Sequence, residues 1–335
     1  MKFPAFLSAV LLAAAAGRAC ELCAIYSAAN ARGENASGFV LTLSEQFVAD
    51  DEPQLDGEPY PYSNDYLYSS YLHIVPTWNF TERFGVSLNL PVIVRTFERR
   101  TVRVSPAGPS FGVEQGTESG LGDLALALRG TVFQRQEMEW AVSVNVLGGV
   151  KVPTGDDRRL QDEVDQVRIY NQLVGPGHIH DALGPQLSGV HQSDLAFGSG
   201  SYDGIFGLTL NSRYGRAFFN AQAQYYLRTK GDSGYEYGDE MIFSGGPGWY
   251  LWLGKRGTFS LAANVVYDSE ARAELFGLKS NSTGMTAWYA GPQFSFTWGR
   301  HFSVQGGADL PLHITNNGFQ NVPSYRAYGG ITWRF

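Results

Sequence analysis

The sequence closes on S-Y-R-A-Y-G-G-I-T-W-R-F, residues 324–335, and its alternation decides how the rest is read. Tyr325, Ala327, Gly329, Ile331, Trp333 and Phe335 fall on one side of an extended strand. Arg326, Tyr328, Gly330, Thr332 and Arg334 fall on the other. A period of two with one apolar face is the signature of a β-strand.

The same alternation recurs along the chain. In 39–48, Phe39, Leu41, Leu43 and Phe47 share a face. In 84–97, Phe84, Val86, Leu88, Leu90, Val92 and Val94 oppose Ser87, Asn89 and Arg95. In 139–152, Trp140, Val142, Val144, Val146, Val150 and Val152 oppose Ser143, Asn145 and Lys151. In 218–228, Phe219, Ala221, Ala223, Tyr225 and Leu227 oppose Asn220, Gln222, Gln224, Tyr226 and Arg228. In 301–313, Phe302, Val304, Ala308, Leu310 and Leu312 oppose Ser303, Gln305, Asp309 and His313. The polar faces carry Asn, Gln, Ser, Thr, Arg and Asp, where a soluble sandwich would show Lys and Glu.

Twelve strands are expected, near 38–49, 66–80, 84–97, 121–134, 139–152, 203–214, 217–228, 239–253, 258–268, 286–298, 301–313 and 325–335. Short connections at 81–83, 135–138, 215–216, 254–257 and 299–300 alternate with longer ones at 50–65, 98–120, 153–202, 229–238, 269–285 and 314–324. Tight periplasmic turns and long outer loops characterise an up-and-down transmembrane barrel, and twelve is an even number, as such a barrel needs. The expected fold is therefore all-β, an antiparallel transmembrane barrel over 38–335. A hairpin hidden in 153–202 would raise the count to fourteen. Trp78, Phe80, Phe84, Trp140, Tyr214, Trp252, Phe259, Trp298, Phe302, Trp333 and Phe335 gather beside the short turns, as an interfacial aromatic girdle would. Pro91, Pro247, Pro292 and Pro311 fall inside strands and call for bulges or strand ends, because proline donates no ladder hydrogen bond.

Composition agrees. Aromatic residues make up 14% of the 335, glycine 40 positions, and charged residues only 17%, below the roughly 25% of soluble domains. Mean hydropathy is slightly negative. A net charge of −7 argues against a nucleic-acid partner. Lys2, the apolar run Phe3–Ala16 and the small residues Gly17 and Ala19 read as a signal peptide over 1–19, too short to span a membrane as a helix. Residues 20–37 then form a periplasmic segment ahead of the barrel.

Three stretches go further: SGLGDLALALRG at 119–130, VLGGVKVPTGDD at 146–157 and LAFGSGSYDGIFGL at 195–208. Together they resemble the outer-membrane transporter family known as the meta-pathway phenol degradation family, with its G-[LI]-G-D and P-T-G-D motifs and its G-[ST]-G-S-x-D segment. The motifs are not specific for a substrate. Read physically, Pro153 ends a strand, Gly155 allows a turn and Asp156 caps backbone amides, while Gly120 and Gly122 let a long loop enter a strand. The terminal Phe335, with Trp333, resembles the C-terminal signature by which the outer-membrane assembly machinery recognises its clients.

The candidate chemistry is sparse. Cys20 and Cys23 are the two cysteines, in C-E-L-C. Haem attachment would need His where Ala24 stands, and thioredoxin-like chemistry would need a βαβ context. Zinc would need two further ligands nearby. A periplasmic disulfide or a plain thiol pair is the expectation, with metal or redox work for a partner as the alternative. His178, His180 and Asp181, with His191 further on, could hold a metal only weakly. A polar loop is the simpler reading, and no metal or cofactor is expected. No Ser/His or Asp/His set assembles, so no catalytic residue is named and an enzyme is disfavoured.

The residues expected to line the lumen are Arg95, Asp123, Arg129, Lys151, Arg213, Arg228, Asp268, Asp309 and Arg326, with Arg334 at the end. Both signs are present, as in a water-filled or partly plugged pore. Twelve strands leave a narrow lumen, and 153–202 is long enough to fold into it. The expectation is a monomer in contact with membrane lipid and acting as a passive channel or transporter for a small solute, hydrophobic or aromatic ones included. The alternative is a scaffold that engages a partner through its C-x-x-C segment.

Overall fold

The computed structural model describes residues 37–335 except 62, 106, 138, 175–187, 255–256 and 300. The expected signal peptide over 1–19, Cys20 and Cys23, and His178, His180 and Asp181 lie outside the described residues.

The long strands are β1 (Gly38–Leu55), β2 (Tyr66–Asn79), β3 (Phe84–Ser105), β4 (Gly108–Leu121), β5 (Leu124–Gln136), β6 (Trp140–Val152), β7 (Asp203–Tyr214), β8 (Ala217–Leu227), β9 (Glu240–Gly254), β10 (Gly257–Glu270), β11 (Met285–Trp298), β12 (Phe302–Asn316) and β13 (Phe319–Arg334). All but β4 are staves of a barrel, each antiparallel to its neighbours. The terminal stretch that opened the reading closes it: β13 pairs with β1 from Val40↔Arg334 to Ala49↔Tyr325. The fold is a closed twelve-strand antiparallel barrel.

The alternation sorts the side chains as expected. On β13, Arg326 and Thr332 are buried while Tyr325, Ile331, Trp333 and Phe335 are exposed. The exposed apolar face forms a belt between two aromatic girdles. At the turn end, Phe39 packs on Phe335 and Trp78 with ring centroids 5.5 and 6.3 Å apart, and Phe302 on Trp333 at 5.7 Å. At the loop end, Phe47 packs on Tyr68 and Tyr325, and Tyr267 on Trp288. Phe39 to Phe47 covers about 26 Å of strand, or about 20 Å of height at a tilt near 40°. That matches an apolar membrane core bounded by interfacial aromatics.

Glu45 breaks the pattern. It lies on this outward face, paired with Gly329 and Leu72, and accepts a hydrogen bond from Ser70 Oγ. Among the described residues it is the one carboxylate on the outward face between the girdles.

Several expectations change at the loop end. The segment 98–120 is no open loop: β3 continues to Ser105 and pairs with β4 up to Ser105↔Gly108, a hairpin arm standing above the barrel. The segment 314–324 is largely strand, because only Asn317 and Gly318 separate β12 from β13, with Gly318 at φ 63°. The segment 153–202 holds two helices instead of a hairpin, α1 (Arg158–Val174) and α2 (Gln192–Leu195), so the stave count stays at twelve. Asp123 sits in a two-residue break between β4 and β5, where Gly122 N donates to Pro91 O at 2.9 Å. Of the four prolines, Pro311 coincides with a register shift. That shift turns His313 outward beside Trp288, not inward as the alternation suggested. Pro292 faces a gap in the β11–β12 ladder and Pro247 one in the β9–β10 ladder, so neither needs a bulge.

Candidate functional site

Three sequence stretches far apart in the chain meet at the loop end of the barrel. The first is Gly122–Asp123, the second runs from Lys151 to Asp156, and the third is Phe197–Asp203. Asp123 Oδ2 accepts from Ser199 N at 2.9 Å and Ser199 Oγ at 2.7 Å, and Asp123 Oδ1 accepts from Gly155 N at 2.9 Å. Phe197 N and Gly198 N both donate to Asp156 O at 3.0 Å. Gly155 and Gly198 touch so closely that a Cβ on Gly198 would lie 2.4 Å from Gly155 O. The glycines of these motifs thus serve a close backbone crossing.

This junction anchors residues 188–201 inside the barrel mouth. Asn321 N on β13 donates to Gly189 O at 2.8 Å. Val190 and Leu195 pack with Leu67 and Phe97, and Phe197 packs against Val48, Tyr71 and Ile93. Arg95 Nη1 donates to Ala196 O. The segment therefore spans from β13 across β2 and β3 to β6. Helix α1 covers the remaining arc. Its Leu160, Val164 and Val167, on one face at i, i+4 and i+7, pack against Tyr235, Ala273 and Leu275 of the other loops. Arg159 ties α1 to the arm: Nη1 lies 2.7 Å from Glu114 Oε1, Nη2 pairs with Glu118, and the guanidinium lies 5.6 Å over the Phe97 ring. Glu163 Oε2 accepts from Ser193 N at 2.8 Å, joining the two helices.

Two carboxyls of this loop region are held below their ordinary range. Burial pushes the Glu114 carboxyl up, but hydrogen bonds and charge from Arg159 and Arg99 outweigh it and hold the carboxyl below its usual 4.5. Hydrogen bonding from the Arg158 side chain likewise lowers Asp156.

Below the junction the inward charges are ordered. Lys151 Nζ lies 3.0 Å from Asp123 and 2.7 Å from Asp203; Arg228 lies 3.3 Å from Asp203 and 2.8 Å from Glu240. Asp123, Lys151, Asp203, Arg228 and Glu240 thus alternate in sign across five neighbouring staves. Beyond Glu240, Asp268 on the adjoining β10 pairs with Arg326 of β13 at 2.7 Å, and the Arg326 guanidinium stacks 3.5 Å from the centre of the Tyr289 ring. Asp309 is buried near Asn264. Nearer the turn end, Arg129 donates to Asn79 at 2.8 Å and Arg213 to Gly215 O at 3.0 Å. Arg95 stands apart beneath residues 188–201. All nine residues singled out from the sequence lie on the inward face, in these four groups. Arg334, at the turn end, is half-buried.

Sequence reasoning passed over four contributors. Asp203 and Glu240 complete the charge row, and Glu163, which joins the two helices, was hidden in a polar segment. An inward apolar collar was also missed. Val75, Leu147, Ile205, Ile242, Val266 and Ile314 belong to one buried cluster drawn from ten of the twelve staves. Period-two reading assigned inward positions to polar residues, so apolar residues of that parity went unweighed. His191 is buried within residues 188–201, where its backbone N–H donates to Asp194 at 2.9 Å. Among the described residues, no three His, Cys, Asp or Glu side chains converge as metal ligands.

The chain superposes on the COG4313 outer membrane channel from Pseudomonas putida F1 with a TM-score of 0.55 and 13% identity, over 90% of this chain and 96% of that one. It also matches the beta domain of the Bordetella autotransporter Brka, with a TM-score of 0.42, 10% identity and coverage of 88% and 99%. A third match is the CymD monoaromatic hydrocarbon channel, at 0.35, 10%, 90% and 89%. The first likeness establishes the fold; the other two superpose too loosely to bear on the site. No protein-family model matches the chain, and no curated protein matches it. The likeness to the meta-pathway family therefore rests on the three motifs alone. A closed twelve-strand barrel with an apolar outer belt between aromatic girdles is the fold of an outer-membrane β-barrel protein, and the outer membrane is where this chain resides.

Proposed function

We propose that the chain is a passive channel for small solutes, closed at its loop end by residues 188–201. One observation carries the reading. The segment in the mouth is held by hydrogen bonds to side chains of the wall, Asp123, Lys151 and Arg95 foremost. Such contacts are reversible, so the plug can leave while the barrel stays intact. On this reading Arg95, Asp123, Arg129, Lys151, Arg213, Arg228, Asp268, Asp309 and Arg326 line the path. Their mixed signs leave no ring of one charge to select ions.

The apolar collar supports a solute with an apolar part, since such a solute loses little on leaving water for that ring. A solute of the aromatic kind suggested by the motif resemblance would fit it. The tests are planar-bilayer recording and liposome uptake with the purified full chain and with a variant lacking residues 160–195. The full chain should give small, gated conductance and the variant larger, steadier conductance. No conductance and no uptake in either would remove the reading.

A further inference from the structure

Arg95 is a buried cation with an unusual set of partners. Its side chain is 8% exposed. Nη1 donates to Ala196 O, and Nη2 reaches Tyr71 Oη only at 3.4 Å. Nε is buried without a hydrogen-bond partner among the described residues, and no described carboxylate forms an ion pair with it. The other two cations bordering the same space are each shared by two carboxylates: Lys151 by Asp123 and Asp203, Arg228 by Asp203 and Glu240. A buried charge left without a counter-charge is costly. An arginine presents a planar fork that suits a carboxylate.

The space beside it is a cavity of about 80 Å³ between the plug segment and the wall. That is room for several waters or one small organic acid. Ser69 Oγ and Ser193 Oγ also border it, both buried and without a partner among the described residues. Each can donate a hydrogen bond to an acceptor oxygen. The Tyr71 and Phe197 rings flank the guanidinium, with centroids 5.9 and 5.6 Å from its carbon, and Ile93 and Leu67 extend the apolar wall. The lining carries acidic groups too, Asp50, Asp123, Asp194 and Glu270. They set a background that repels a second negative charge on the ligand.

We propose that this cavity binds the carboxylate of a small organic monoacid. The carboxylate lies on the free Nε edge of Arg95, with its second oxygen accepting from Ser69 or Ser193. The apolar or aromatic body lies against Tyr71 and Phe197. The assignment deepens the channel reading and rests on it, since it makes the cavity a station on the solute's path under the plug. It also gives the plug a reason to contribute Ser193 and Phe197: the site is complete only when the mouth is closed.

The test is isothermal titration calorimetry on the full chain in detergent micelles at fixed chloride, with benzoate as probe and benzyl alcohol as its neutral counterpart. Saturable benzoate binding is expected for the native chain and for the loop variant Arg272→Gln. It should weaken by at least about tenfold in Arg95→Gln, in line with the loss of hydrogen bonds to a charged group. Benzyl alcohol should give no saturable signal. No saturable benzoate binding by the native chain, undiminished binding by Arg95→Gln, or equal binding of benzyl alcohol would each overturn the site. Assembly is checked by heat-modifiable gel mobility. Should Arg95→Gln fail to assemble, Arg95→Lys decides: severalfold weaker binding supports the site and unchanged binding overturns it. Bilayer recordings of the same samples separate the two claims. Conductance without benzoate binding sinks the site alone, whereas absent conductance sinks the channel reading whatever benzoate does.

Discussion

Replacing Asp123 with Ala removes the group on which the plug's anchorage converges. Its carboxylate accepts from Gly155 N, Ser199 N and Ser199 Oγ and pairs with Lys151. Removing one member of a buried ion pair costs about 3–5 kcal/mol when the other is left alone. Here Lys151 keeps Asp203 at 2.7 Å, so that cost falls to a fraction. Two backbone N–H groups lose their acceptor, at about 1–3 kcal/mol each if they stay buried. These terms overlap, and leaving the mouth relieves part of them by giving the amides water. A net loss on the order of 3 kcal/mol in plug docking is the working figure. At 1.4 kcal/mol per decade, the undocked population rises about a hundredfold. The barrel's own ladder is untouched, so the effect is local. Hydrogen exchange of residues 188–201 should speed up to match, with strand amides unchanged, and single-channel recordings should gain open time. Unchanged exchange across 188–201 together with unchanged gating would refute the reasoning. Asp123→Asn, which keeps an acceptor oxygen but loses the charge, should fall between the two.

Removing Phe335, or replacing it with Asp, should lower the amount of barrel assembled in the outer membrane at native expression. The denaturation midpoint of the assembled fraction should change little, because the ring is largely exposed and its main packing is on Phe39; normal membrane levels would count against a role in assembly. The double variant Cys20→Ser, Cys23→Ser should assemble normally by heat-modifiable mobility, since a loop this short restrains little unfolded-chain entropy; failure to assemble would make the segment structural. Acid should loosen the arm's hold on α1. The folded-state carboxyl of Glu114 lies below its usual 4.5, so its contribution is fully present above that value and is lost as pH falls through the lowered one. Protease access to α1 should stay constant from neutral pH to about 5 and rise below about 4; a rise already complete at pH 6 would point to another group.

The barrel was legible in the sequence because burial on one face of a strand imposes period two, and that pattern survives without any knowledge of partners. Strand ends at the loop side were not. There β3, β12 and β13 rise beyond the membrane, where both faces meet water or loops and the alternation fades. Helix α1 was hidden because its buried face is only Leu160, Val164 and Val167 in a charged context. Glu45 ran against the pattern: on parity it belongs to the lipid face, and only its bond from Ser70 explains how it is tolerated there. At the candidate site the residue types were readable and their grouping was not. Asp123, Lys151 and Asp203 come from three separate motifs, and only the register of β5, β6 and β7 brings them together. The isolation of Arg95 is likewise a fact of tertiary placement.

The central claim is a pore closed by its own loop, and single-channel recording tests it most directly. The purified full chain and a variant lacking residues 160–195 are reconstituted side by side in planar bilayers. Small, gated currents from the full chain and larger, steady currents from the variant, both with little preference between cations and anions, are the predicted result. Silent bilayers from both proteins, with assembly verified by heat-modifiable mobility, would contradict it.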